Sequence, residues 1–152
     1  MVDVVGKFDA IAIPVLGRVE DPAFTLHVES QTGLVHSVFH GFWTTKDCDR
    51  YDVELTRFVT AARSTYGAAL VMVDRRETGV QSQDVIERYY RLNRLVYQEG
   101  DHLAIIVSSS LAKLQIRRAM DSRWSKAFMS EDAARTWLSA FLLTRLRDAS
   151  GR

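Results

Sequence analysis

The sequence lacks the features on which several classes of protein depend. It contains one cysteine, Cys48, so no disulfide forms within the chain, and a reducing compartment is expected. The formal net charge is +1, which gives no overall field to attract nucleic acid or an anionic membrane. No segment approaches the roughly 20 apolar residues that span a bilayer. Asp3, Lys7 and Asp9 interrupt the beginning of the chain, which does not read as a signal peptide. We therefore expect a cytoplasmic protein that does not bind nucleic acid.

Sequence motifs of catalysis are also missing. The chain contains no Gly-x-Ser-x-Gly nucleophile turn, no Gly-x-x-x-x-Gly-Lys phosphate loop and no Gly-x-Gly-x-x-Gly dinucleotide turn. Cys48 lies between Asp47 and Asp49, whose negative charges disfavour a reactive thiolate. These observations predict a protein that is not an enzyme and that needs no cofactor.

Three histidines in neighbouring predicted strands raise the question of a metal site. His36 and His40 share one face of a predicted strand, and His27 lies on the strand expected to pair with it. Residues four apart in a strand are separated by about 13 Å, which is too far for two imidazoles to share an ion. The spacing of His36 and His40 therefore predicts that the protein holds no metal.

Length and composition fit one globular domain. Of the 152 residues, 47% are hydrophobic and 26% are charged, the balance of an ordinary domain with a substantial core. We expect an N-terminal extension or edge strand at residues 1–22, a main domain at 23–147 and a short C-terminal tail at 148–152. Residues 11–16 are apolar, but Pro14 limits them to an edge strand or to irregular structure.

Two strands near the start of the main domain predict an antiparallel hairpin. Apolar and polar residues alternate over residues 24–29, as they do in a half-buried strand. Residues 34–43 form the second strand, and Gln31-Thr32-Gly33 between the strands has the composition of a turn.

Helices and buried strands alternate along the rest of the chain. The predicted helices span residues 46–66, 82 to about 98, 110 to about 120, and the chain after Ser130. Short apolar runs at residues 70–73 and 103–107 predict buried strands, and residues 126–129 are predicted to form a further short strand. Because strand-helix-strand units favour parallel neighbours, the expected fold is a single α/β domain. Its mixed sheet begins with the antiparallel hairpin, continues with parallel strands and carries packed helices.

Charged residues directly follow the buried strand at residues 70–73. Asp74 ends the strand, and Arg75 and Arg76 are predicted to begin a polar loop at the carboxyl edge of the sheet, where α/β domains often hold ligands. Two interpretations are open. These side chains either hold the polar group of a ligand or partner, or form a solvated surface ion pair.

Hydroxyl residues occupy the corresponding place after residues 103–107. Ser109 and Ser110 open a predicted helix, so they either help the free backbone N–H groups to bind an anion or simply cap the helix. Ser82 opens the preceding helix and has two interpretations as well. It is either an N-cap hydroxyl or a phosphorylation site whose phosphate faces the positive end of the helix.

Several local strings, taken in order, resemble the SpoIIAA-like family, which is related to STAS domains. They are Gly41-Phe42-Trp43-Thr44, the strand from Leu70 to Asp74 with its charged tail, the strand from His102 to Val107, and an ending with Phe128, Ala133-Ala134 and Trp137-Leu138. The resemblance covers roughly residues 24–142.

The resemblance implies a binding function. STAS domains of bacterial antagonists bind a protein partner and are switched by phosphorylation of a serine at a helix start, a position that Ser82 occupies here. SpoIIAA-like proteins also look similar to lipid-binding domains of the Sec14 type, which implies contact with a lipid or a membrane surface.

Two functions are therefore expected. The first is a non-catalytic module that binds a small apolar or lipid-like ligand between the sheet and the helices at residues 82–98 and 109–120. Its polar end would be held by Arg75, Arg76, Ser109 and Ser110. The second is a regulatory protein that binds a partner through the same edge, switched at Ser82. Self-association into a homodimer and peripheral contact with a membrane are further expectations.

Overall fold

The computed structural model of the protein describes residues 17–120 and 123–150, with side chains described as far as residue 144. The apolar run at residues 11–16 lies outside this part of the chain. The strands are β1 (Val19–Glu20), β2 (Phe24–Val28), β3 (Val35–His40), β4 (Leu70–Glu77), β5 (His102–Ile106) and β6 (Ser125–Phe128). The helices are α1 (Thr45–Tyr66), α2 (Gln83–Val96), α3 (Ser110–Ala119) and α4 (Glu131–Ser150).

The described strands form one mixed sheet whose spatial order is their order in the chain. β1, β2 and β3 pair antiparallel, and β3, β4, β5 and β6 pair parallel. This arrangement confirms the predicted hairpin followed by parallel strands. α4 continues to Ser150, past residue 147, where the sequence analysis placed the end of the main domain. Among the described residues, no helix has the length and apolar character needed to cross a membrane.

Glycines fix two of the turns that bring the elements together. Gly33, with φ of 72°, closes the hairpin between β2 and β3, and a Cβ there would lie 2.4 Å from the Tyr66 ring. Gly67, with φ of 87°, ends α1 in the left-handed conformation and donates its N–H to the Arg63 carbonyl. Both positions favour glycine because an L side chain rarely adopts this conformation.

Apolar residues of the sheet face helices on both sides. Val71 and Val73 of β4 belong to a core formed with α1, α2 and α3, whereas Leu70 and Met72 belong to a core formed with α4. Successive side chains of a strand point to opposite faces, so a strand covered on both sides is apolar throughout. The continuous apolar run at residues 70–73 is therefore the sequence signature of this central strand.

The strand β4 extends further than the sequence indicates. Arg75 and Arg76 lie within it rather than in a loop, so that prediction was wrong. The reason is that β3 continues to pair with β4 beyond Asp74. After an irregularity in the register, His40 lies opposite Glu77. Backbone pairing with a neighbouring strand thus outweighs the preference of charged residues for a loop.

A buried carboxylate connects three elements at the opposite end of the sheet. Asp101 is 1% exposed and accepts hydrogen bonds from the backbone N–H groups of Ala69 (2.8 Å) and Gln98 (2.9 Å). It also accepts one from Nε of Arg63 at 3.0 Å. This single side chain therefore joins the last turn of α1, the entry to β4 and the turn after α2.

We predict that Asp101→Asn lowers the free energy of unfolding by about 3 kcal/mol, because it leaves the partly buried Arg63 without its buried counter-charge. Urea denaturation followed by circular dichroism measures this change. Glu54→Gln is the control, since Glu54 pairs with Arg57 on the surface of α1 and its loss changes stability by no more than about 1 kcal/mol. Equal effects of the two substitutions would contradict the role assigned to Asp101.

Candidate functional site

A cleft of about 370 Å³ opens at the carboxyl ends of β4 and β5, between α2 and α3. This is the place that the sequence analysis gave for a ligand pocket. Its walls combine apolar side chains of the two helices with polar groups from the strand ends and loops. The lining residues are Arg75, Thr78, Gly79, Val80, Gln81, Ile86, Tyr90, Val107, Ser108, Ser109, Leu111, Ala112, Gln115 and Ile116.

A narrower groove continues from the cleft between β3 and α2. It shares Arg75, Tyr90, Thr78 and Gln81 with the cleft, and its wall also includes Phe39 and Trp43. The Phe39 and Trp43 rings pack with their centroids 4.4 Å apart. Both spaces are mostly apolar, and Arg75 is the cationic side chain that lines both of them.

Arg75 is the cation that the cleft and the groove share. Its guanidinium carbon lies 5.1 Å from the centre of the Tyr89 ring, a cation–π contact. Its Nη1 atom is buried and has no hydrogen-bond partner among the described residues. Burial raises the pKa of Tyr89, so the ring beneath the guanidinium is a neutral phenol that supplies no counter-charge. Buried polar atoms are nearly always paired, so an unpaired Nη1 is unusual. Arg75 can therefore donate a hydrogen bond to a further group.

The side chain of Gln81 holds the rim of the cleft in place. Its Oε1 accepts the backbone N–H of Trp43 at 2.8 Å, and its Nε2 donates to the carbonyl of Gly41 at 2.9 Å. Within the same loop, Thr78 donates its hydroxyl to the Arg75 carbonyl at 2.7 Å, and Nε2 of Gln81 also donates to the Gly79 carbonyl at 3.3 Å. The loop before α2 is thereby joined to the loop after β3, and the mouth of the cleft has a defined shape.

Of the residues predicted to form the site, Arg75 and Ser109 line the cleft. Ser109 also caps α3, since its hydroxyl accepts the N–H of Ala112 at 3.1 Å, which confirms the capping interpretation. Ser110 lies outside the cleft, with its hydroxyl 3.9 Å from the Met129 sulfur.

Asp74 and Arg76 lie on the opposite face of the sheet, so they do not share a site with Arg75. Alternation along β4 explains the separation, because neighbours in a strand point to opposite faces. Arg76 donates to Asp74 through Nε (3.0 Å) and Nη2 (2.7 Å). Although burial opposes ionisation of Asp74, the hydrogen bonds from Arg76 hold its pKa below the usual value. The predicted ion pair between these two side chains is confirmed, but it is not a solvated surface pair, because Asp74 is buried.

This pair belongs to a row of five alternating charges, which we term the ion-pair chain: Glu29, Arg135, Glu131, Arg76 and Asp74. Arg135 bonds to Glu29 at 2.6 Å and to Glu131 at 2.8 Å, and Arg76 lies 3.6 Å from Glu131. The chain connects the first turns of α4 with β4 and with the end of β2. It therefore explains the charged tail of β4 as a structural feature.

Ser82 is exposed and caps α2, where its hydroxyl accepts the N–H of Val85 at 3.3 Å. The N-cap interpretation is confirmed. Ser82 directly follows Gln81 at the rim, and it does not itself line the cleft.

Two features of the site were missed by the sequence analysis. Ile86 and Tyr90 line the cleft and are four residues apart, so they form a second apolar row on α2 beside the core row of Val85 and Tyr89. That row is visible in the sequence. The role of Gln81 has no local signal, because its partners lie about forty positions earlier in the chain.

A third missed feature is a histidine pair on the α4 face of the sheet. His36 and His40 are too far apart along β3 to share an ion, but His27 of β2 lies directly opposite His36 of β3. The two ring centroids are 5.1 Å apart. The two histidines are neighbours because of the register of the hairpin, and no local sequence pattern specifies that register.

Comparison with known proteins identifies the fold. No protein-family model and no curated protein sequence matches the chain. A solved structure that resembles it is that of an uncharacterized protein of the DUF3478 family from Shewanella loihica PV-4, described as having a SpoIIAA-like fold. The two agree with a TM-score of 0.58 at 18% sequence identity, over 80% of this chain and 99% of the other. The protein is a mixed α/β domain with a SpoIIAA-like fold, as the resemblance implied.

Proposed function

We propose that this protein is a non-catalytic module that binds a small amphipathic ligand with an anionic head group. The observation that carries the proposal is the buried Nη1 of Arg75, which lines a mostly apolar cleft and has no hydrogen-bond partner among the described residues. A cation that lacks a counter-charge in the described part of the chain favours a ligand that brings one. The proposal keeps the predicted lipid-like ligand and reduces its predicted polar contacts to Arg75 and Ser109.

The charge of Arg75 favours an anionic head group. Guanidinium groups bind carboxylates and phosphates through charge-assisted hydrogen bonds, which are roughly twice as strong as neutral ones. The first turn of α3 lines the same cleft as Arg75, and the positive end of its dipole also favours negative charge. A carboxylate in the cleft would thus interact with two sources of positive potential.

The walls of the cleft favour an apolar tail of modest length. Ile86, Tyr90 and Ile116 line its interior, and the groove continues toward Trp43. Sites for small ligands typically enclose about 300–1,000 Å³. A cleft of about 370 Å³ is near the lower end of this range, so a single medium chain fits better than a two-chain lipid.

We predict that the protein binds octanoate more tightly than 1-octanol, and that Arg75→Gln abolishes this preference. The two ligands share an eight-carbon chain, so the difference reports on the anionic head group. A charge-assisted hydrogen bond contributes about 1.5–3 kcal/mol, which corresponds to a preference of at least about tenfold. Titrations followed by NMR chemical shifts of the cleft residues measure both affinities.

The control for Arg75→Gln is Arg94→Gln, which removes the same charge from an exposed position in the last turn of α2. This control should keep the preference for octanoate. Equal affinity for the two ligands in the unmodified protein would contradict the proposal. Shift changes that map to the α4 face rather than to the cleft would contradict it as well.

A second candidate is a regulatory module that binds a protein partner through the same edge. The observation in its favour is that apolar side chains stand exposed at the rim, with Val80 89% exposed and Leu111 65% exposed. Exposed apolar groups that lie together often mark an interaction surface. Ser82 lies beside this rim, where a phosphate would add negative charge.

Cytoplasmic location, self-association and peripheral membrane contact stay predictions from the sequence.

The partner hypothesis predicts that Ser82→Asp and Val80→Asp abolish recovery of a partner in affinity purification from the native host. Ser82→Ala should retain it, at a cost of about 1 kcal/mol in stability from the lost cap. Asp is also a favourable N-cap, so Ser82→Asp should stay folded and isolate the effect of charge. Recovery of the same proteins with all three variants would contradict this second function.

A further inference from the structure

Two imidazoles and a carboxylate converge on the face of the sheet opposite the cleft. His27 and His36 lie across from each other on β2 and β3, and Glu29 directly follows β2. Each residue offers one ligand atom, and these three atoms all lie within 4.8 Å of one another. Nδ1 of His36 is 4.0 Å from Oε2 of Glu29. Among the described residues, this is the one cluster of its kind.

The two imidazoles have unused coordination capacity. Nδ1 of His27 and Nε2 of His36 are buried and have no hydrogen-bond partner among the described residues, and Nδ1 of His36, the nitrogen nearest to Glu29, lies beyond hydrogen-bond distance from it at 4.0 Å. Burial lowers the pKa of each ring, and for His36 the neighbouring His27 lowers it further. Metal ions bind the neutral form of imidazole.

The carboxylate of Glu29 is held in place and still has a free lone pair. Its Oε1 accepts bonds from Arg135 (3.1 Å) and Thr32 (3.2 Å), whereas Oε2 accepts one bond from Arg135 at 2.6 Å. Each carboxylate oxygen has two lone pairs, so Oε2 has one left for a cation. Oε2 is also the oxygen nearest to His36. Arg135 thus acts as an outer-shell residue that orients the ligand.

The charge around the cluster also favours a cation. The ion-pair chain that begins at Glu29 contains three carboxylates and two guanidinium groups, which gives it a net charge of −1. His36 itself is within the electrostatic reach of Glu29 and Glu131. A divalent ion would therefore add positive charge to a region with an excess of negative charge.

We propose that His27, His36 and Glu29 bind a divalent transition-metal ion of the zinc type, with Arg135 as the residue that positions Glu29. Two imidazoles and one carboxylate are a ligand set that holds zinc and leaves a fourth position for water. Bonds of about 2.0–2.1 Å in a tetrahedral site place ligand atoms about 3.4 Å apart. The separations of up to 4.8 Å therefore require the side chains to move closer by about 1.4 Å.

Isothermal titration of the full chain with Zn²⁺ tests this site. We expect one ion to bind per chain. His36→Asn should lower the affinity for zinc by at least about 100-fold, because loss of an outer-shell partner alone lowers metal affinity by 10–100-fold. The matched control is His40→Asn, which removes an imidazole from the same strand at a more exposed position. Its zinc affinity should equal that of the unmodified protein.

A second measurement does not depend on the stability of a variant. Co²⁺ added to the unmodified protein should give the visible absorption of a four-coordinate site, and Zn²⁺ should displace it. Absence of zinc binding by the folded protein would overturn the proposal. Unchanged zinc affinity in His36→Asn, or equal losses in His36→Asn and His40→Asn, would overturn it too.

Discussion

The alternation of side chains along β4 divides the chemistry of this molecule between two faces. β4 is paired on both sides and covered by helices on both faces, so each residue has a fixed direction. Arg75 therefore points toward α2, whereas Asp74 and Arg76 point toward α4. A shift of one residue in the register would exchange these roles. The apolar run at residues 70–73 opposes such a shift, because its side chains fill the cores on both faces of the sheet.

Two adjacent arginines consequently have different electrostatic environments. Arg76 has two carboxylates within ion-pair distance, and it serves to join β4 to α4. Arg75 contacts a neutral aromatic ring and has a buried nitrogen without a partner among the described residues. Burying a cation without a counter-charge opposes folding, and such groups are often retained where a ligand completes the site. This contrast is the basis for assigning ligand binding to one face.

The sequence contains enough information to predict the sheet, because its signals are local. The alternation in β2, the apolar runs of β4 and β5, and the cap Ser82 each depend on a few adjacent residues. The division of Asp74, Arg75 and Arg76 between two faces was not predicted, because charged residues after an apolar run favour a loop, and pairing with β3 extends the strand. The His27–His36 pair and the bonds of Gln81 depend on contacts between distant parts of the chain. No local pattern specifies them.

A crystal structure of the protein with octanoate tests the central claim most directly. The account predicts the carboxylate within hydrogen-bond distance of the Arg75 guanidinium and the alkyl chain against Ile86 and Tyr90. An ion pair between Arg75 and a carboxylate of the protein itself, with octanoate bound elsewhere or not at all, would contradict it.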